Sequence, residues 1–161
     1  MLKDKGTVLE KILISRCFLG EKVRYDGKDN LLNNTVFERW LSEGRLVAIC
    51  PEVSGGLSTP RAPAEIQQGS NRVLTRDGVD VTAEFEQGAN KALSLCQQHN
   101  IRYALLKESS PSCGSQKIHN GKFEQIKIKG QGVCAQLLSD NGVIVYSEKS
   151  IEELIELIES E

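Results

Sequence analysis

Four short apolar runs constrain this chain more than any other feature. Ile12-Leu13-Ile14, Leu46-Val47-Ala48-Ile49 and Tyr103-Ala104-Leu105-Leu106 read as short buried strands, and Val143-Ile144-Val145 reads as a fourth strand. Helical patterns separate them. Asn34-Thr35 open an amphipathic helix through Val36, Phe37, Trp40 and Leu41, which Gly44 stops. Thr82 is a good N-cap for a helix over 83–99, with Phe85, Ala89, Ala92, Leu93 and Cys96 on one face. Val133, Cys134, Leu137 and Leu138 share one side of a shorter helix, and Ser150 with Glu153 forms a capping box for the last one. Asp77-Gly78, between Val73-Leu74 and Val79-Val81, signals a hairpin, and Asn120-Gly121 signals a second. Residues 1–9 read as a lead-in. Pro51, Gly55, Gly56, Pro60 and Pro63 make 51–65 a functional loop rather than a helix or strand. The alternation predicts one α/β domain over 1–161 with a mostly parallel sheet. In such sheets, ligands bind beyond the carboxyl ends of the strands.

Composition narrows the chemistry. Across 161 residues, 20 Lys+Arg stand against 22 Asp+Glu, a net charge of −2, so the chain lacks the basic excess of a nucleic-acid-coating protein. No apolar run is long enough to span a membrane. Lys3, Asp4, Lys5, Glu10 and Lys11 interrupt any secretory core, and Arg16 before Cys17 argues against a lipoprotein signal. The expected compartment is the reducing cytoplasm. There, the five cysteines are metal ligands, nucleophiles or core fillers rather than disulfides.

The cysteines divide by position. Cys96 and Cys134 fall on apolar helix faces, where a free thiol behaves as a small hydrophobe. Cys17, Cys50 and Cys113 follow the first three strands, so all three can converge at one edge of the sheet. The chain has no Cys-x-x-Cys pair, which argues against zinc ribbons and thioredoxin-like chemistry. Spacing alone leaves two readings open: a shared three-thiolate site, or scattered structural cysteines. If the three thiols converge on a four-iron cluster, one iron keeps an open, thiophilic position that can act as a Lewis acid.

The residues around these cysteines carry a signature. It runs Cys17-Phe-Leu-Gly-x-x-Val23-Arg24-Tyr25-Asp26-Gly27, then Cys50-Pro51-Glu52-Val53-x-Gly55-Gly56-Leu57-x-x-Pro60-Arg61-x-Pro63-Ala64-Glu65. Gly78-x-Asp80-Val81-Thr82, Ser110-Pro111-Ser112-Cys113-Gly114, Asn120-Gly121-x-Phe123 and Gly130-x-Gly132-Val133 complete it. In this order the motifs resemble the DUF523 family of thiouracil desulfurases, from about Ile12 to Val145. The resemblance implies a Rossmann-like α/β fold with helices on both faces of the sheet. It also implies a [4Fe-4S] cluster, readily lost in air, held by Cys17, Cys50 and Cys113. Glu52 matches the family's acid/base carboxylate and Ser110 its catalytic serine. Arg24, Tyr25, Asp26, Gly55, Gly56, Arg61 and Ser112 are assigned to substrate binding. Of these, Arg24 and Arg61 would suit an anionic group, or else pair with Asp26 or Glu65. Gly55-Gly56 would let the backbone approach cluster or substrate.

The chain departs from the family pattern at His119, where an aromatic residue is expected, and at Lys28-Asp29-Asn30. Cys96 and Cys134 stand where the family has other small residues. His99 and His119 have no evident partner in the sequence. With no second domain following, the chain resembles the stand-alone form rather than the form fused for transfer RNA.

The activity so implied is hydrolysis of the thiocarbonyl of a thiolated pyrimidine, 4-thiouracil or its nucleotide, to the oxo form, with the sulfur taken by the open iron. Glu52 would take a proton from water, and Ser110 would relay one to the ring or the leaving sulfur. The expected partner is this small molecule, with no DNA, transfer RNA or membrane, and the chain is expected to be a monomer or weak homo-oligomer. Two alternatives stand beside it: another cluster-dependent lyase, and a non-catalytic metal- or sulfur-binding protein.

Overall fold

The structure, a computed structural model, describes residues 9–160. The lead-in expected over 1–9 lies, apart from Leu9, outside the described residues, as do Lys3, Asp4 and Lys5. Among the described residues, eight strands and five α-helices follow one another, with two 3-10 turns between them. They are β1 Ile12–Ser15, α1 Thr35–Ser42, β2 Leu46–Ile49, α2 Pro51–Ser54, β3 Ala64–Ile66, β4 Val73–Thr75, α3 Thr82–His99, β5 Tyr103–Leu105, β6 Lys117–His119, β7 Lys127–Lys129, α4 Val133–Asp140, β8 Ile144–Tyr146 and α5 Ile151–Glu159.

The four apolar runs form one parallel sheet in the order β2-β1-β5-β8. The chain starts inside the sheet at β1 and moves out to β2. It then returns past β1 to β5 and continues to β8. Winding therefore reverses beside β1, and the helices fall on opposite faces. Alternation along the strands builds both cores. Leu13 and Ala104 face Ala89, Ala92 and Cys96 of α3 and Cys134, Ala135 and Leu138 of α4. Ile12, Ile14, Tyr103 and Leu105 face Phe37 and Trp40 of α1 and Leu154 and Ile158 of α5. Trp40 Nε1 donates to Glu159 Oε2 at 3.2 Å, tying α1 to the end of α5. Asn34 caps α1 by accepting from the N–H groups of Val36 and Phe37, an interaction worth about 1 kcal/mol.

Several local expectations are corrected. The 51–65 segment is not all loop. Pro51 opens α2 at its first position, where a missing N–H costs nothing, and Ala64–Ile66 becomes a strand by pairing with β4. Val73-Leu74 thus pairs with β3 on one side, and on the other the Asp77-Gly78 turn folds Val79–Val81 back on β4 as expected, through a Leu74–Asp80 bridge and bonds from the Thr75 N–H to the Val79 carbonyl and the Val81 N–H to the Val73 carbonyl. Asn120-Gly121 does join two paired strands, β6 and β7, through a longer loop over 120–126. Thr82 is inside α3 rather than its cap, because its hydroxyl accepts the Val73 N–H at 2.8 Å. The capping box belongs to Ser147 and Ser150 on the turn before α5, not to Ser150 and Glu153. Leu41 is 51% exposed, since the buried stripe of α1 centres on Phe37 and Trp40.

The two hairpins pack Ile66, Val73 and Ile118 with Val81 and Phe85 into a small separate core. This core holds β3 and β6 beside the carboxyl edge of the parallel sheet, where they wall a cavity.

Candidate active site

The three strand-end cysteines come together. Cys17 sits in the turn after β1, Cys50 between β2 and α2, and Cys113 in the loop after β5, so they follow three neighbouring strands. All three line one cavity of about 680 Å³. It opens where the winding reverses, as expected for a sheet of this kind. Cys96 and Cys134 are 2% and 0% exposed in the core between the sheet and α3/α4, as expected.

Each clustered thiol is held by neighbours. Asn30 Nδ2 donates to Cys17 Sγ at 3.3 Å. Ser15 Oγ donates to Cys113 Sγ at 3.7 Å while accepting the Lys107 N–H at 3.0 Å, and Ser112 Oγ lies 3.5 Å from the same sulfur. Cys50 Sγ points to the carbonyl of Val23 at 3.8 Å. Burial pushes the Cys113 thiol up to about 12. Burial also raises Cys17, with Asn30 opposing it, and raises Cys50, with the Val53 N–H opposing it.

Could these residues hold a cluster? Among the described residues, no three His, Cys, Asp or Glu side chains form a group able to hold one metal ion. Three sulfur donors around a roomy cavity instead suit a polynuclear iron–sulfur group, which thiolates favour. The N–H and O–H donors aimed at Cys17 and Cys113 are the kind that tune such a group. On donor chemistry the residues fit such a group, and Cys17, Cys50 and Cys113 are the residues that could hold it.

Beside the thiols runs a hydrogen-bond chain. Glu52, in the single turn of α2, accepts from Ser112 Oγ on Oε2 and from Arg61 Nε on Oε1, both at 3.0 Å. Ser112 Oγ lies 3.0 Å from Ser110 Oγ, which also accepts the N–H groups of Ser112 and Cys113. Ser112 is 1% exposed, so it links the other two rather than presenting an open face.

The model of the family described as 2-thiouracil desulfurase matches residues 12–150. The chain belongs to the 2-thiouracil desulfurase family. A solved structure described as a [4Fe-4S]-dependent thiouracil desulfidase, TudS of DUF523, is 49% identical and superposes with a TM-score of 0.90, covering 94% of this chain and 99% of that one. The uncharacterized protein YbbK of Bacillus subtilis (strain 168) is 39% identical over 152 residues, 89% of this chain and 99% of the relative. Family membership agrees with the resemblance carried by the motifs, and the TudS structure agrees with the expected α/β fold.

The substrate-binding assignments divide. Arg24, Tyr25, Arg61 and Ser112 line the cavity, and Asp26, Gly55 and Gly56 do not. Arg24 is engaged by Asp26 at 2.9 Å and Asn30 Oδ1 at 3.2 Å. Arg61 also donates to the carbonyls of Ser58 and Val23 and to Thr59 Oγ1, and it pairs with Glu52 rather than Glu65. Gly55 approaches α3 so closely that a Cβ would lie 1.9 Å from the Glu84 carbonyl. It serves helix packing rather than a ligand. Gly56 takes a left-handed φ of +109° that ends α2.

The sequence reading missed Ser15, Lys107, Glu108 and Arg76, and Asn30 stood in the segment that departs from the family pattern. Ser15, Asn30, Lys107, Glu108 and Arg76 all line the cavity. Glu108 is the most informative. It is 4% exposed, and its Oε1 accepts the N–H groups of Ser109, Ser115 and Gln116 at 3.0–3.1 Å and, more weakly, that of Lys117 at 3.4 Å. It therefore braces both ends of the loop carrying Ser110, Ser112 and Cys113. Burial pushes this carboxyl up, but the backbone donors outweigh it and hold it below the usual range. His119 lines the cavity from β6, whereas His99 closes the last turn of α3.

Proposed function

We propose that this protein cleaves the carbon–sulfur bond of a thiolated pyrimidine, 4-thiouracil or its nucleotide, by net hydrolysis at a [4Fe-4S] cluster. The thiocarbonyl and water give the oxo base and hydrogen sulfide, with no electron transferred. The observation that carries this reading is the Glu52–Ser112–Ser110 chain running beside three thiols in one cavity. Bound by Cys17, Cys50 and Cys113, the cluster would supply a Lewis-acidic, thiophilic iron with one open position for the substrate sulfur.

The chain's own residues supply the proton path. Arg61 and Ser112 occupy one lone pair on each Glu52 oxygen, and a carboxylate has about four acceptor sites, which leaves room for a water. Glu52 takes the proton of that water as it adds to the ring carbon. Ser110 gives its proton to the ring nitrogen or the departing sulfur, Ser112 replaces it, and Glu52 replaces that of Ser112. The relay so moves one proton from the nucleophile to the leaving side. For a nucleotide, Arg76 and Lys127 line the cavity without an ion pair among the described residues, so they, rather than the engaged Arg24 and Arg61, are the cations for a phosphate.

Anaerobic reconstitution followed by assay with 4-thiouracil tests the reading. Release of sulfide and uracil is expected, with Glu52→Ala slower by about 100-fold or more. Stoichiometric zinc without sulfide, or full activity in Glu52→Ala, would overturn it.

A further inference from the structure

In the wall of the same cavity, a buried carboxylate outside the Glu52–Ser112–Ser110 chain grips a strained loop. Glu65 on β3 is 9% exposed, and its Oε1 accepts the Gly121 N–H at 2.9 Å and the Phe123 N–H at 3.1 Å. Gln67 Nε2 donates to the Gly121 carbonyl at 2.8 Å, and a Cβ on Gly121 would lie 2.6 Å from the Ile66 carbonyl, so the 120–126 loop is seated hard on β3. Phe123 and Gln125 hold left-handed φ values of 55° and 62°. Such backbone persists only where its surroundings over-determine it. Here the determinant at Phe123 is its N–H bond to Glu65. Phe123 and Gln125 line the cavity, and the Arg76 guanidinium lies 5.6 Å from the Phe123 ring centroid. Burying a carboxylate merely to cap two neutral N–H groups is costly unless their position matters.

We propose that Glu65 is a positioning residue that fixes Phe123 as the aromatic wall on which the pyrimidine ring stacks. This rests on the desulfurase reading for the identity of the ring. Stacking of a base on an aromatic side chain is worth about 1–3 kcal/mol, which corresponds to roughly 5- to 150-fold in binding. Glu65 acts through backbone donors, so an amide oxygen can replace its carboxylate.

The experiment compares reconstituted wild type, Glu65→Ala, Glu65→Gln, Phe123→Ala and the Glu65→Ala/Phe123→Ala double variant, matched by iron content. Expected are a KM for 4-thiouracil raised about tenfold or more in Glu65→Ala and Phe123→Ala with kcat within about twofold. Near-wild-type values are expected for Glu65→Gln, and the double variant should be no worse than either single. Faster amide exchange in the 120–126 loop is expected in Glu65→Ala alone of the two Glu65 variants. Phe123→Ala sits on a half-buried loop side chain, so it decides the point if Glu65→Ala does not fold. An unchanged KM in Phe123→Ala, or Glu65→Gln as impaired as Glu65→Ala, would overturn the proposal while leaving the desulfurase reading standing. A wild type without turnover fails that reading and the stacking role with it, and the exchange data then report separately whether Glu65 holds the loop.

Discussion

Ser112 Oγ donates to Glu52 Oε2 at 3.0 Å, joining two residues sixty positions apart in sequence. One comes from the turn after β2 and the other from the loop after β5, on either side of β1 in the sheet. The contact turns two separate motifs into one path with Ser110 at its far end. Ser112→Ala should therefore lower kcat by about 10- to 100-fold with little change in KM, and Ser110→Ala should do the same. If the serines act as a unit, the double variant falls no further than either single. Steady-state kinetics at matched iron content decides it.

Arg61 is more a clamp than a ligand-binding cation. Its side chain is 9% exposed, and it bonds Glu52, Ser58, Thr59 and Val23 together. Arg61→Ala should cost about 1–3 kcal/mol, because it removes the donor shared by Glu52, Ser58, Thr59 and Val23. Chemical denaturation would show a lower midpoint at unchanged slope. Stability equal to wild type with only a raised KM would instead mark Arg61 as a substrate contact.

Glu108 makes the loop around Cys113 sensitive to acid. Its carboxyl is held below the usual range in the folded protein, so its contribution is present above the unfolded-state value and is lost as pH falls through the folded one. Below about pH 4 the wild type should lose stability faster than Glu108→Gln, which carries no titrating group there. Urea midpoints from pH 7 to pH 3 measure this, and parallel curves for the two proteins would contradict it.

The cysteines should divide three and two in the test tube. Cys17→Ala, Cys50→Ala and Cys113→Ala should each abolish retention of iron and sulfide after anaerobic reconstitution. Cys96→Ala and Cys134→Ala should keep both and lose about 1–2 kcal/mol of stability through small cavities. Iron and sulfide analysis, with denaturation, separates the two classes.

Gly55→Ala tests packing against binding. Its Cβ would meet the backbone of α3, so a loss of about 2–4 kcal/mol is expected. A variant of wild-type stability and raised KM would return Gly55 to the substrate.

The sequence by itself determined the parallel sheet and the sorting of the cysteines. Short apolar runs alternating with helical patterns admit few other folds, and a ligand at a strand end is placed by chain connectivity alone. It did not show that 64–66 is a strand, since three residues form one only once β4 is there to pair with them. Nor could it assign Arg61 to Glu52, Ser112 to the hydrogen-bond chain between Glu52 and Ser110, or Gly55 to α3. Each depends on a partner supplied by a distant segment, and neither spacing nor residue type encodes that distance. The partners of Ser15, Asn30, Glu65 and Glu108 were illegible for the same reason. Their chemistry is common on any surface, and only burial against a specific backbone donor or thiol makes them part of the site. Tertiary structure alone decided those partnerships, because a hydrogen bond exists over a few tenths of an ångström while sequence patterns place elements only to within a residue or two.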